Sequence, residues 1–295
     1  KAERVAVINA PKADYQVKVT DPNESQIAML KKLELPRDAY QEIMKVCREE
    51  DILFMSTPYN PEDADYLASL NVSAFKLASI TAAEPQFAKY VAQKGKPVIL
   101  STGMASLGEV EETVVAMRET GNEDLILLQC TTNYPSHEKD CNLLAMQTMR
   151  DALKVNTGYS DHTSTEIASI ISVALGAQVI EKHLTLNKNL PGPDQSTSFE
   201  PEEFLNLVKS IRNAENVLGS SRKEPCEIEK INAVGMRRSI VSNNDIDAGT
   251  TIVESMLAFK RPATGLSPKF YDYVLGKKTK KKILADSQIK LSDLE

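Results

Sequence analysis

The chain has 295 residues, 26% of them charged, and a formal net charge of −6. That balance leaves no basic field for nucleic acid or an anionic membrane, and no apolar run approaches the roughly 18 residues of a membrane span. The four cysteines, Cys47, Cys130, Cys141 and Cys226, form no CxxC pair, so reduced thiols in a cytoplasmic setting are expected.

The N-terminal residues Lys1-Ala2-Glu3-Arg4 lack the apolar region of a secretory leader. Residues 4–8 form one short apolar run, and helices are expected over 24–32 and 37–49. Apolar strands follow at 52–56, 74–77, 97–101, 125–130, 155–159 and 178–181, with helical periodicity over 61–70, 83–94, 107–120 and 163–176. Runs such as Val98-Ile99-Leu100 and Leu125-Ile126-Leu127-Leu128 are apolar on both faces, as expected for a parallel sheet covered by helices. A closing helix is expected over 203–219.

Polar residues gather after every strand: Thr57, Ser79, Ser101-Thr102, Thr131-Thr132-Asn133-Tyr134, Ser160-Asp161-His162 and His183. An open doubly wound sheet concentrates its site at one switch point, and no GxGxxG turn follows a first strand. Function spread around a whole rim is the pattern of a (β/α)8 TIM barrel. Closure needs two more strands, which residues 1–50 do not supply. The barrel is therefore expected to be incomplete by two strands, within a domain over 1–219.

Beyond Gly219 the composition changes. Residues 220–235 read as a linker with a short helical stretch, and 236–295 as a small β-rich domain of short strands and turns. The basic run from Lys277 to Lys282 is short and local, in keeping with a solvated surface.

His162 and His183, two of only three histidines, follow neighbouring strands. A strand–helix–strand unit puts both on the same rim of a parallel sheet, where two imidazoles could share a divalent metal. A hydrogen-bonded structural histidine is the alternative for each. Cys130, ending an apolar strand, reads as a buried structural thiol rather than a nucleophile.

The chain resembles the sialic acid (N-acetylneuraminate) synthase family along essentially its whole length. The resemblance is carried by Ala10-Pro11-Lys12-Ala13-Asp14-Tyr15-Gln16, Glu24-Ser25-Gln26, Ser56-Thr57-Pro58 and Phe75-Lys76-Leu77-Ala78-Ser79. It continues through Lys96-Pro97, Ser101-Thr102-Gly103-Met104, Tyr159-Ser160-Asp161-His162, Glu181-Lys182-His183, Gly192-Pro193-Asp194 and Lys260-Arg261-Pro262-Ala263-Thr264-Gly265. It implies a transferase that condenses phosphoenolpyruvate with an N-acetylated hexosamine, and a C-terminal antifreeze-protein-like (SAF) domain. It also implies that two strands carrying a catalytic acid/base and a substrate-binding lysine precede the first residue here.

On that resemblance, Lys76, Ser79, Thr57, Ser101 and Ser160 contact phosphate and carboxylate, Tyr134 contacts the sugar, and Asp194 the sugar hydroxyls or a water. His162 and His183 hold the metal; two nitrogens with open positions suit Mn2+, or else Mg2+. Arg261 reaches the sugar of a partner subunit, which implies a domain-swapped homodimer. Members usually carry an acidic residue just beyond Ser79, where Ile80 and Thr81 stand here. That departure leaves room for an acceptor other than N-acetylmannosamine, such as the diacetylated bacillosamine-like hexose that yields legionaminic acid. Two other classes stay open: a Schiff-base aldolase using Lys76 or Lys182, and a non-enzymatic carbohydrate- or ice-binding protein using the C-terminal domain.

Overall fold

Five short, mostly aliphatic runs form one parallel sheet: β1 (Phe75–Leu77), β2 (Val98–Ser101), β3 (Leu125–Cys130), β4 (Asn156–Asp161) and β5 (Ile180–Lys182). Their spatial order is the chain order. The computed structural model describes residues 2–295 and divides into two compact units, Lys1–Gly219 and Ser220–Glu295.

In the first unit, α1 (Asp14–Val19), α2 (Gln26–Lys32), α3 (Arg37–Glu49) and α4 (Pro61–Ser69) precede the sheet. The crossovers carry α5 (Pro85–Ala92), α6 (Leu107–Arg118), α7 (Leu144–Leu153) and α8 (Ile167–Ala174), and α9 (Pro201–Leu218) follows β5. Local chemistry sets several starts. Asn60 caps α4 by accepting the Asp63 N–H at 2.9 Å, with Pro61 in the first turn. Ser106 and Glu109 form a capping box at α6.

The sheet has two differently used faces. Phe75, Leu77, Val98, Leu100, Leu125 and Leu127 pack against Val91, Val110, Val114 and Met117 of the covering helices. The alternate residues face inward, as in a curled TIM-like sheet. Gly158 marks how close that inner side is: a Cβ there would come within 2.3 Å of Val179 O and 2.7 Å of Leu128 Cδ2.

The expected strand at 52–56 is extended, but among the described residues its amides join no ladder. Phe54 packs on the core while Ile52 and Leu53 stay exposed; an apolar run becomes a strand only when a neighbour takes its N–H and C=O groups. Helix α8 begins at Ile167 rather than 163. Thr163 is instead bridged to Ser136, and its N–H donates to Asp161 Oδ1 at 2.8 Å.

In the second unit, α10 (Glu227–Met236) precedes an antiparallel pair, β6 (Ser239–Ser242) and β7 (Leu257–Lys260), followed by α11 (Tyr271–Val274). Ile240, Ile246, Ile252, Val274, Ile283, Ile289 and Leu294 form its own core.

Candidate active site

The period-2 alternation of β4 and β5 sorts the rim. Ser160 pairs in register with Glu181, and Asp161 with Lys182. Ser160, Glu181, His162 and His183 line one cavity of about 440 Å3, as do Lys76, Ser79, Thr57, Ser101, Tyr134 and Asp194. The strands β1 to β5, the turns after β1, β3, β4 and β5, and the extended segment at Thr57 before α4 therefore bring together every candidate site residue of the first unit. Arg261 belongs to the second unit, where it is exposed after β7.

Lys76 Nζ donates to Ser101 Oγ at 2.8 Å and Leu77 O at 2.9 Å, and lies 3.3 Å from Glu181 Oε2. Ser160 Oγ donates to Glu181 Oε1 at 2.6 Å. Ser79 Oγ accepts the Gly103 N–H at 3.1 Å. A Cβ at Gly103 would crowd the Ser79 and Thr132 hydroxyls, so glycine suits the close approach of the turns after β1, β2 and β3.

The histidine tautomer follows from its partners. His162 Nδ1 sits 2.8 Å from Thr131 O; a carbonyl only accepts, so Nδ1 carries the proton and Nε2 keeps its lone pair. Ser160 Oγ lies 3.4 Å from that Nε2, but its single proton is committed to Glu181. Burial pushes the His162 pKa down, which favours the neutral ring. His183 stands beside it, ring centroids 5.3 Å apart, with Nδ1 3.9 Å from Asp194 Oδ2.

This donor set fits a metal with two imidazole ligands and open positions. Among the described residues, no group of three or more His, Cys, Asp and Glu side chains is placed to cage one, which does not match a closed structural zinc site.

Tyr134 stacks between Tyr15 (5.0 Å) and His162 (4.1 Å), and burial pushes its phenol pKa up, so the hydroxyl stays protonated. Cys130 also borders the cavity; burial raises its thiol pKa, which agrees with a structural rather than nucleophilic cysteine. Lys182 is turned to the other face of β5, buried against Asp161 at 3.1 Å. It does not line the cavity, so it is not placed to form a Schiff base with a substrate bound there. Glu181, Tyr15 and Tyr59 line the site without having been assigned a role from sequence. The signal for Glu181 was its spacing two residues before His183, on the same face of an extended strand.

Residues 1–223 match the NeuB family and residues 237–295 the SAF domain. The chain belongs to the NeuB family. It is 40% identical over 292 residues to the N,N'-diacetyllegionaminic acid synthase of Campylobacter jejuni, covering 98% of this chain and 87% of that protein. It is 33% identical to the pseudaminic acid synthase of the same species, covering 98% and 84%. The crystal structure of an N-acetylneuraminic acid synthetase from Leptospira borgpetersenii, in complex with citrate, superposes with a TM-score of 0.67 at 30% identity, covering 74% of this chain and 76% of that one. This is a family of nonulosonic acid synthases, and its members are enzymes. No helix of the described residues is long and apolar enough to cross a membrane.

Proposed function

We propose that this NeuB-family chain condenses phosphoenolpyruvate with an N-acetylated hexosamine and water, giving a nonulosonic acid and phosphate. The observation that carries this is the convergence of His162, His183, Lys76 and Asp194, with three serine hydroxyls, on one cavity of about 440 Å3. That volume suits a small acid together with a sugar.

Phosphoenolpyruvate is a multiply charged anion. Lys76, fixed by Ser101 and Glu181, supplies the cation at the strand ends, and Ser79 and Ser101 supply hydroxyl donors, with Ser160 beside them bonded to Glu181. The C2=C3 π pair of the enol forms the new C–C bond from C3 to the sugar aldehyde carbon, the aldehyde C=O π pair moves onto its oxygen, which takes up a proton, and C2 is left electron-poor. Water adds to C2, Asp194 or Glu181 being the carboxylates in the cavity able to take its proton. The C2–O bond to phosphate then breaks and phosphate leaves. Tyr134, kept protonated by burial, offers a donor and a flat face to the sugar. His162 Nε2 and His183 would hold a divalent cation, Mn2+ or Mg2+, whose chemistry when bound is Lewis-acid polarisation of the aldehyde oxygen.

The acceptor is N-acetylmannosamine or a diacetylated relative. The likeness to diacetyllegionaminic acid synthases supports the second, as does the lack of a carboxylate at Ile80-Thr81. We infer further that Arg261 completes the sugar site in trans within a domain-swapped homodimer. Mixing Arg261→Ala chains with His162→Ala chains should restore activity that neither has alone; no recovery would sink the trans role.

The direct assay incubates the protein with phosphoenolpyruvate, Mn2+ and each candidate sugar, and follows phosphate. Release should require a sugar and stop on adding EDTA. Carbon–carbon bond formation that survives EDTA would point to aldolase chemistry instead.

A further inference from the structure

The outer side of the same two strand ends carries a buried ion pair that the chemistry above does not use. Asp161 and Lys182 are register partners directly outside the histidines, Nζ to Oδ2 3.1 Å, with side chains 0% and 2% exposed. Asp161 also accepts the Thr163 N–H at 2.8 Å and the Ser169 hydroxyl at 2.6 Å, tying the turn after His162 to helix α8. Lys182 Nζ donates to Thr163 O at 2.6 Å and Thr165 O at 3.2 Å, and lies 4.2 Å from the Phe199 ring centroid. The Phe199 N–H in turn donates to His183 O at 2.9 Å, and the Thr185 N–H to Phe199 O at 2.9 Å.

Every contact of this pair therefore ends on backbone within three residues of His162 or His183, or on an element packed against it. A buried ion pair contributes little net stability compared with apolar residues of the same volume. One that grips both histidine-bearing turns is better explained by position than by stability. The pair fixes which residue of β4 faces which residue of β5; a slip of β5 by one residue against β4 would turn His183 away from the cavity that His162 lines.

We propose that Asp161 and Lys182 are positioning residues: together they lock β4 against β5 in the register that turns His162 and His183 into one cavity with their rings edge to face. The proposal rests on the reading of the cavity as a metal-assisted condensation site. The pair touches neither substrate nor metal and acts only through the backbone it holds.

The test uses the full chain in four forms: unsubstituted, Asp161→Asn, Lys182→Met, and Asp161→Leu with Lys182→Met. Each single change leaves a buried charge unpaired and threatens the fold, so the apolar double is the decisive variant; its thermal midpoint should fall less than that of either single variant, and circular dichroism should show it folded. Mn2+ binding is measured by calorimetry without substrate. Outer-sphere disturbance of metal ligands typically costs 10–100-fold in affinity, and the folded double variant should show a loss of about that size.

Selective 15N-histidine labelling gives a readout that needs no metal. The chain has three histidines, and the exposed His137 serves as internal control. The ring signals of His162 and His183 should move in the double variant while that of His137 stays. A double variant with unshifted ring signals and unchanged Mn2+ affinity would overturn the proposal. Absence of Mn2+ binding by the unsubstituted chain would overturn the metal reading instead, leaving the ring signals to decide on the pair.

Discussion

In the second unit, buried polar side chains face one another or their own backbone. Ser239 Oγ donates to Pro262 O at 2.6 Å and accepts the Gly265 N–H at 2.9 Å, and Thr279 Oγ1 donates to Asp247 O at 2.6 Å. In the first unit, Ser160, Glu181 and Lys76 from three strands, and His162 just after β4, bond to protein groups and also line a cavity. Satisfying hydrogen bonds locally is what folding requires of a buried polar group. Holding a set of them around a cavity serves a ligand. The contrast separates a unit whose polar interior is explained by its own fold from one whose polar interior is not.

That contrast can be broken most severely at the histidines. His162→Ala or His183→Ala should lower sugar-dependent phosphate release about 10²–10³-fold, equivalent to the several kcal/mol ascribed to Lewis-acid assistance. Circular dichroism should be unchanged, because the rings face the cavity rather than the core. A variant retaining full turnover would place the chemistry elsewhere.

Lys76→Met comes next. Hydrogen bonds to charged groups contribute about 1.5–3 kcal/mol, so KM for phosphoenolpyruvate should rise roughly 10–100-fold. An unchanged KM would remove Lys76 from the anion site. Because the substitution also unpairs Glu181, pairing it with Glu181→Gln separates the lost contact from the stranded carboxylate.

The second unit should respond in stability and not in this chemistry. Ile240 is fully buried among the apolar residues of that unit, and Ile240→Val should cost about 0.5–1.5 kcal/mol, read as a lower thermal midpoint. A fall in first-unit Mn2+ affinity with it would blur the distinction between the units.

The smallest effect is acid sensitivity at Asp293. Burial pushes its carboxyl up, but Lys281 at 3.0 Å and the Lys290 N–H at 2.9 Å outweigh burial and hold it below the usual carboxylate range. A depressed carboxyl contributes stability that is present above its unfolded pKa, about 3.9, and is lost as pH falls through the folded value. The Asp293→Asn variant should show a flatter dependence of thermal midpoint on pH below about 4. An identical slope would mean that the ion pair adds nothing.

Much of this was legible in the sequence because strand and helix periods differ so clearly in the first unit. The run at 97–101 became β2, and the run at 125–130 became β3 with identical ends. Residues 52–56 misled because apolar composition says nothing about whether a partner strand is present to bond with. The site was legible where a residue type is rare or a motif is quoted whole, as at His162 and His183. Glu181 was hidden by its abundance: one of 41 acidic residues, it is singled out only by facing the same way as Ser160 and His183. The Asp161–Lys182 pair was invisible for a related reason, since register across two strands cannot be read from either strand alone.

The most direct measurement follows an oxygen atom. Phosphoenolpyruvate carrying 18O in the bridge between C2 and phosphorus is supplied with Mn2+ and the acceptor sugar, and the released phosphate is weighed by mass spectrometry. Condensation with C–O cleavage predicts phosphate that retains the label and forms only when sugar is present. Unlabelled phosphate, or phosphate released at the same rate without sugar, would contradict the account.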